Sequence, residues 1–519
     1  MDSRRLLRTS ATALAAAGLI LSGCTGGSDA AAPAGSGAAP TLVAARPSPV
    51  PGALKEFYGQ KLAWRDCGTA GFQCATLRAP LDYAKPAGPE IRLAVSRVRA
   101  SGPGARIGSL LVNPGGPGGS AVDYLQGYAG VGYPEPVRAR YDMVAVDPRG
   151  VARSEPVECL TGPEMDAYTQ VDQTPDDQAE TKALVASFQR FAEGCEKRTD
   201  AVLPHVSTVE TARDMDILRA VLGDERLHYV GASYGTFLGA TYAELFPGRV
   251  GRLVLDGAMD PSLSALDLNR DQTAGFETAF GAFAADCVAR PDCPLGTGTP
   301  ESAGQALKKF FRAADAEPVP TGESRPLGES LATTGVIAAM YDESAWPQLR
   351  EALTRAIGGE GSALLALADS YYEREPDGSY TNLMFANAAV NCLDLPPAYR
   401  GPADAEKAVP SFEEASPVFG AGLAWAALNC TYWPVEATGR PHRITAEGAA
   451  PILVVGTTRD PATPYRWAES LAAQLSSGTL LTYEGDGHTA YGRGSDCVDT
   501  AINTYLLEGT PPPAGKRCS

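Results

Sequence analysis

Six short runs of mainly apolar residues, none of them alternating, do the most to restrict what this 519-residue chain can fold into. IGSLLV (107–112), YDMVAV (141–146), LHYVG (227–231), RLVLD (252–256), ILVVG (452–456) and TLLTY (479–483) are too short for helices. A strand that is apolar on both sides must be covered on both faces, as in a parallel sheet between helical layers. Helical periodicity stands between the runs. Val209, Ala212, Met215, Leu218 and Leu222 recur at helical spacing, and Gly223 is placed to cap the end. Ile91, Leu93 and Val95 alternate instead, as in a strand with one buried face. The expected fold class is α/β, a mostly parallel, doubly wound sheet with helices on both faces.

About 190 residues separate RLVLD from ILVVG. They hold the helical patterns QTAGFETAFGAFAADCVAR, ESAGQALKKFFRAADA and AWPQLREALTRAIGG, and no obvious parallel-sheet strand. The expected organisation is a first sheet portion over 54–260, an inserted and mainly helical cap domain over 261–448, and a return to the sheet over 449–519. Charge runs such as DDQAETK and KKFFR read as solvated faces.

The N-terminus does not read as part of this body. MDSRRLLRTS is basic and ATALAAAGLILSG is a short apolar run, so 1–23 reads as a secretory signal. Leu21-Ser22-Gly23-Cys24 resembles the bacterial lipobox, which makes Cys24 the expected lipidated residue. Arg4-Arg5 fits a plain basic leader or a twin-arginine one. Residues 24–53, rich in Ala, Gly, Pro and Ser, form the expected disordered tether, unable to bury enough apolar surface to offset chain entropy. The expected location is the outer face of the cell membrane, held there by the lipid or shed from it, with no other membrane contact.

A net charge of −17 leaves no basic surface for phosphates, which excludes nucleic acid as a partner. Setting Cys24 aside leaves an even number of the 11 cysteines, which suggests disulfides in an exported chain. Spacing suggests Cys67–Cys74, Cys159–Cys195, Cys287–Cys293, Cys392–Cys430 and Cys497–Cys518, although it does not fix the connectivity. No C-x-x-C pair occurs and only four histidines are present, so neither a metal nor another cofactor is expected.

GASYGT (231–236) sets a serine between glycines directly after the run LHYVG. With 56 glycines in the chain, a G-x-S-x-G match arises by chance roughly a third of the time, so its context decides. Here a strand precedes it and a helix with small Gly235, Gly239 and Ala243 follows, which is the setting of a nucleophile on a strand-to-helix turn. A serine hydroxyl needs an adjacent base. His228 lies within the strand, His205 and His442 lie in loops without a visible partner, and His488 lies in the glycine-rich EGDGHTAYG after a strand, which makes it the candidate. The base needs a carboxylate. Asp460, after ILVVG, is preferred to Asp256 and Asp260. Tyr234 N–H and a glycine of NPGGPGGS (113–120), Gly116 ahead of Gly115, are the candidate oxyanion donors. The order Ser233, Asp460, His488 is that of an α/β-hydrolase fold.

NPGGPGGS, YDMVAVDPRGVARSEPVEC, GASYGTFLGATYAELFPGRVGRLVLDGAMDP, GTTRDPATPY and GHTAYGRGSDC together resemble the secreted actinobacterial tripeptidyl aminopeptidases, over Leu54 to Cys518. That group is a prolyl-aminopeptidase-like branch of the α/β-hydrolases with a TAP-like C-terminal region. The resemblance implies a serine exopeptidase that removes tripeptides from peptide substrates with free N-termini beneath a helical cap. The family's nucleophile, acid and base fall on Ser233, Asp460 and His488. Pro114 stands where prolyl aminopeptidases carry histidine, which weakens a strict proline-iminopeptidase reading. A free α-ammonium calls for one or two cap carboxylates, and Asp394, Glu277 and Asp342 are the candidates. An esterase or lipid hydrolase on the same scaffold, or a catalytically silent surface binding protein, are the alternatives.

Overall fold

The non-alternating runs become the middle of one ten-stranded sheet. A computed structural model describes residues 49–519; the signal, Cys24 and the tether as far as residue 48 lie outside the described residues. The strands are β1 (Arg65–Asp66), β2 (Phe72–Pro80), β3 (Glu90–Val98), β4 (Gly108–Asn113), β5 (Tyr141–Val146), β6 (Leu227–Ala232), β7 (Val250–Asp256), β8 (Ile452–Arg459), β9 (Gly478–Asp486) and β10 (Lys516–Cys518). Their order is β1-β2-β3-β5-β4-β6-β7-β8-β9-β10. From β5 through β10 all pairs are parallel, and β1 to β3 add an antiparallel edge. The chain leaves β4 for β5 on one side and comes back to β6 on the other. Such a reversal opens a crevice at the carboxyl ends of the two strands, where ligands gather in sheets of this kind.

Burial on both faces is visible residue by residue. Leu111 belongs to one core cluster with Val144, Tyr229 and Leu255, whereas Leu110 and Val112 belong to the other with Met143, Val230 and Val254. Each such side chain contributes about 1.5–3 kcal/mol when fully buried, so both helical layers are needed to hold the sheet.

The helices that matter for the site are α1 (Gln178–Thr199), α2 (Thr208–Val221), α3 (Tyr234–Leu245), α4 (Ala265–Val288), α5 (Pro300–Ala316), α6 (Glu329–Met340), α7 (Trp346–Ile357), α8 (Ser362–Tyr372), α9 (Leu383–Asp394), α10 (Pro402–Ala415), α11 (Gly420–Ala426), α12 (Tyr465–Gln474) and α13 (Asp496–Glu508). Helices α4 to α11 fill the stretch between β7 and β8. Three of them, α4, α5 and α7, match the amphipathic patterns of the sequence. Helix α6 (ESLATTGVIAAM) is buried on most sides and shows little periodicity. Helix α1 precedes β6 in the chain but packs Leu184 and Phe188 against Tyr399, Ala405 and Trp425 of the insertion. The helical layer over the sheet is thus drawn from two places in the sequence.

All five cysteine pairs suggested by spacing are joined. Each restricts the unfolded chain by roughly 2–4 kcal/mol. Among the described residues no helix is long and apolar enough to cross a membrane.

Candidate active site

Strand β6 ends in a sharp turn. Ser233 sits at φ 57°, ψ −126°, a conformation that costs about 1–3 kcal/mol for a residue with a side chain. The surrounding backbone enforces it. Ser233 N–H donates to the Asp256 carbonyl at the end of β7 (2.9 Å), and a Cβ on Gly235 would stand 2.9 Å from the Asn113 carbonyl at the end of β4. Only glycine lets α3 start this close to β4. Ser233 is half-buried, and among the described residues its Oγ makes no hydrogen bond.

The imidazole and the carboxylate stand at nearby strand ends. His488 follows β9, and its Nδ1 lies 2.9 Å from both carboxylate oxygens of Asp460, which follows β8. Asp460 is buried and also accepts the N–H groups of Ala462 (2.9 Å), Thr463 (2.8 Å) and Thr489 (3.1 Å). With Nδ1 turned to a carboxylate, the imidazole has Nε2 left as a proton acceptor. The ring rests against Gly257, where a Cβ would stand 3.3 Å from His488 Cε1, one residue beyond the carbonyl that holds Ser233. No hydrogen bond joins Ser233 to His488 among the described residues. In ligand-free sites such bonds are commonly long and close only with substrate.

The loop that carries His488 is fixed from two sides. Asp256 accepts the N–H groups of Ala490 (3.0 Å) and Tyr491 (2.9 Å), and burial pushes its carboxyl above the usual range. The rival acid of the sequence therefore supports the base's loop, and Asp260 serves Ser262 (2.7 Å) and Gln474 (2.7 Å). From the insertion, the Tyr341 carbonyl accepts His488 N–H (2.9 Å), and its ring meets the imidazole edge-on at 5.4 Å. Arg493 donates to the His488 carbonyl (2.7 Å) and pairs with Asp342 (3.1 Å). No sequence signal marked Arg493, although GHTAYGRGSDC contains it.

The other histidines have separate partners. His228 Nδ1 accepts Arg252 N–H (3.2 Å), and burial lowers its pKa to about 4. His442 pairs with Glu244 (2.9 Å) and His205 with Glu210 (3.4 Å).

Two backbone N–H groups near the turn are without a partner among the described residues. Gly115 N–H is taken by Asn113 Oδ1 (2.9 Å), whereas those of Gly116 and Tyr234 have no hydrogen-bond partner among the described residues. A Cβ on Gly115 would lie 2.9 Å from Tyr234 N, so the two chain segments are in contact. The far end of the glycine loop is tied down by Asp147, which accepts from Ser120 Oγ (2.8 Å) and Val122 N–H (2.9 Å).

Two of the acids expected to meet a substrate ammonium, Asp394 and Glu277, are hydrogen-bonded to other groups of the protein. Asp394 is buried and accepts Thr208 N–H (2.9 Å) and Thr208 Oγ1–H (2.5 Å) at the start of α2. Glu277 accepts from Ser416 Oγ (2.5 Å) and Val418 N–H (3.3 Å), holding the segment ahead of α11. Inside a packed helical layer a carboxylate is satisfied by helix-starting N–H and hydroxyl groups, which removes it from solvent.

The insertion and the start of α1 enclose a cavity of about 1150 Å³ whose walls include Phe276, Ile337, Tyr371, Asp315 and Glu329. The carboxylates of Asp172, Asp315 and Glu329 lie within 4.8 Å of one another, and burial, then mutual repulsion, pushes Asp315 and Glu329 above the usual range. The only other set of this kind among the described residues is Asp82, His205 and Glu210, where the Arg149 guanidinium already stands 3.8 Å from Glu210. Tyr371 is 6.0 Å from Tyr341, the ring that meets His488.

Sheet and site together define an α/β-hydrolase, a serine hydrolase by class. The profile of the TAP-like protein family matches residues 416–518. The chain is 36% identical over 491 residues to serine protease Hip1 of Mycobacterium tuberculosis, covering 89% of this chain and 91% of that protein. It is 38% identical over 457 residues to carboxylesterase B of the same organism, covering 86% of each. It is 33% identical over 472 residues to the tripeptidyl aminopeptidase of Streptomyces coelicolor, covering 86% of this chain and 84% of that one. The chain belongs to the tripeptidyl aminopeptidase family of α/β-hydrolase serine peptidases.

Proposed function

We propose that the protein is an exported serine exopeptidase releasing short peptides, tripeptides above all, from free N-termini. Ser233 Oγ attacks the scissile carbonyl while His488 Nε2 takes its proton, and Asp460 holds the tautomer and stabilises the imidazolium. The oxyanion is received by the N–H groups of Gly116 and Tyr234, and the start of α3 adds its positive dipole end. His488 returns the proton to the leaving amine, and water then releases the acyl peptide by the same steps. The observation that carries the reading is the Asp460–His488 pair, just past β8 and β9, at the same sheet edge as a strained serine whose Oγ has no partner among the described residues.

The cavity supports the free-terminus part. Two ring contacts, of 5.4 and 6.0 Å, lead from His488 to its wall at Tyr371. Three extended residues span about 10 Å, comparable with those two ring-to-ring steps taken together. The carboxylates of Asp315 and Glu329, which line the same cavity, favour an ammonium over a neutral end group. Five disulfides and the N-terminal leader favour export.

Carboxylesterase activity is the second reading, favoured by the relative that carries that name at 38% identity. Tripeptidyl chromogenic substrates with free and with acetylated N-termini separate the two, next to p-nitrophenyl esters. Preference for the free terminus supports the exopeptidase. Equal cleavage of both, or turnover of esters alone, overturns it. Loss of all turnover in Ser233→Ala is required by either.

A further inference from the structure

We propose that α9 is a strut that sets both halves of the oxyanion hole, with Asp394 and Asn387 as positioning residues for Tyr234 and the glycine loop. The proposal rests on the assignment of Gly116 and Tyr234 as donors. Asn387, Asn391 and Asp394 are spaced four and three residues apart, which places them on one face of the helix. They form a polar line along that face. Asn387 Nδ2 donates to the Pro117 carbonyl, the residue after Gly116 (3.1 Å), and Asn391 Nδ2 donates to Asn387 Oδ1 (3.0 Å).

At the other end, Asp394 accepts from both the N–H and the hydroxyl of Thr208, and Thr208 Oγ1 lies 2.5 Å from the Tyr234 hydroxyl. With Asp394 ionised, Thr208 gives its proton to the carboxylate and Tyr234 donates to Thr208. Tyr234 is itself buried, so this bond fixes its ring and, through it, the peptide that carries the donor N–H. The glycine loop lies flush on the same helix, because a Cβ on Gly118 would overlap the Leu383 carbonyl and stand 3.0 Å from Asn387 N. The helix start is pinned too. Asn382 donates to the Gly150 carbonyl (2.8 Å) and accepts Ala152 N–H (2.8 Å), both in the loop after β5.

One helix thus touches the loop that carries one donor and, through two hydroxyls, the residue that carries the other. The separation of the two N–H groups is therefore set from the insertion as well as from the sheet. A shift of about 1 Å in such donors costs on the order of 100-fold in rate. The line also ends at Tyr234 without reaching the cavity, which makes Asp394 a positioning residue and not an ammonium ligand.

The test compares Asp394→Ala, Asp394→Asn, Asn387→Ala and Tyr234→Phe, each scaled to the sites that label with a fluorophosphonate, so that misfolded enzyme is not counted. The proposal expects Asp394→Ala to lower kcat about 10- to 100-fold with KM changed less than about twofold, for free and acetylated substrates alike. Asp394→Asn keeps the bond from Thr208 N–H and recovers most of the loss. Asn387→Ala and Tyr234→Phe lower kcat by about three- to tenfold each. The proposal falls if Asp394→Ala raises KM for free N-termini only, since that marks a substrate ligand, or if kcat per labelled site is unchanged in the alanine variants. Absence of labelling in the unmodified enzyme instead removes the Ser233 assignment on which it rests.

Discussion

The sheet edge and the helical insertion both hold the candidate site, but by different means. At the sheet edge the contacts are backbone groups at and just beyond the strand ends: Ser233 N–H on the Asp256 carbonyl, and the N–H groups of Ala462, Thr463 and Thr489 on Asp460. From the insertion, apart from the Tyr341 carbonyl on His488 N–H, come single side chains that reach across, namely Asn387 to Pro117, Asp394 to Thr208 and Asp342 to Arg493. The first kind of contact is fixed by strand register and survives most substitutions. The second can be deleted one residue at a time. Reacting groups should therefore depend steeply on the sheet, while efficiency and substrate choice are adjusted from the insertion.

The largest effect should come from the sheet-edge trio. Ser233→Ala and His488→Ala are expected to lower kcat by about 10⁴-fold or more, and either one should cost about as much as both together. Asp460→Asn keeps the shape but presents an amide to Nδ1 and selects the wrong tautomer, so a loss of about 10³- to 10⁴-fold is expected at neutral pH. Kinetics on a tripeptidyl substrate check all three. If Asp460→Asn stays within tenfold while Asp256→Asn does not, the acid has been misplaced.

How much could be read beforehand follows the same division. Strands β4 to β9 were legible because burial on both faces leaves few polar residues to break a short run, as in ILVVG. The turn at Ser233 was legible because only glycine tolerates the approach of α3 to β4. The acids of the insertion were not legible. Nothing in NCLD says that Asp394 turns inward to Thr208, since the partner lies 186 residues away along the chain. The same holds for Arg493 and Asp342, and for α1, whose placement over the sheet rests on contacts with residues more than two hundred positions later. Side chains that hold one element against another carry no local period.

Asp394 gives the comparison a pH signature. Burial pushes its carboxyl up to about 7, and nearby Glu210, itself raised by burial and paired with Arg149 and His205, adds to this, while the bonds from Thr208 act the other way. Tyr234 reaches it only through Thr208. An unfolded aspartate titrates near 3.9. The neutral form is thus favoured by the fold, so its stabilisation is complete below about pH 4 and declines as pH rises toward 7, with nothing further lost above. Over that window the protein should lose on the order of 4 kcal/mol relative to Asp394→Asn, which cannot ionise. Urea midpoints of both proteins from pH 4 to 8 check this. Parallel curves would mean that Asp394 is not strained by burial.

Arg493 sharpens the comparison at its finest point, because it belongs to the sheet-edge loop yet is held by the insertion. Its guanidinium donates to the His488 carbonyl and pairs with Asp342, whose side chain is half exposed. The exposed pair alone contributes only about 0–1 kcal/mol. The bond to the carbonyl should matter more, because it fixes the backbone on which the imidazole turns. Arg493→Met is therefore expected to lower kcat about tenfold, with the pH dependence of kcat/KM displaced, whereas Asp342→Asn should stay within about threefold. If Asp342→Asn is the more damaging of the two, its carboxylate acts on substrate and not through Arg493. A rise in KM confined to peptides with free N-termini would then identify it as an ammonium contact.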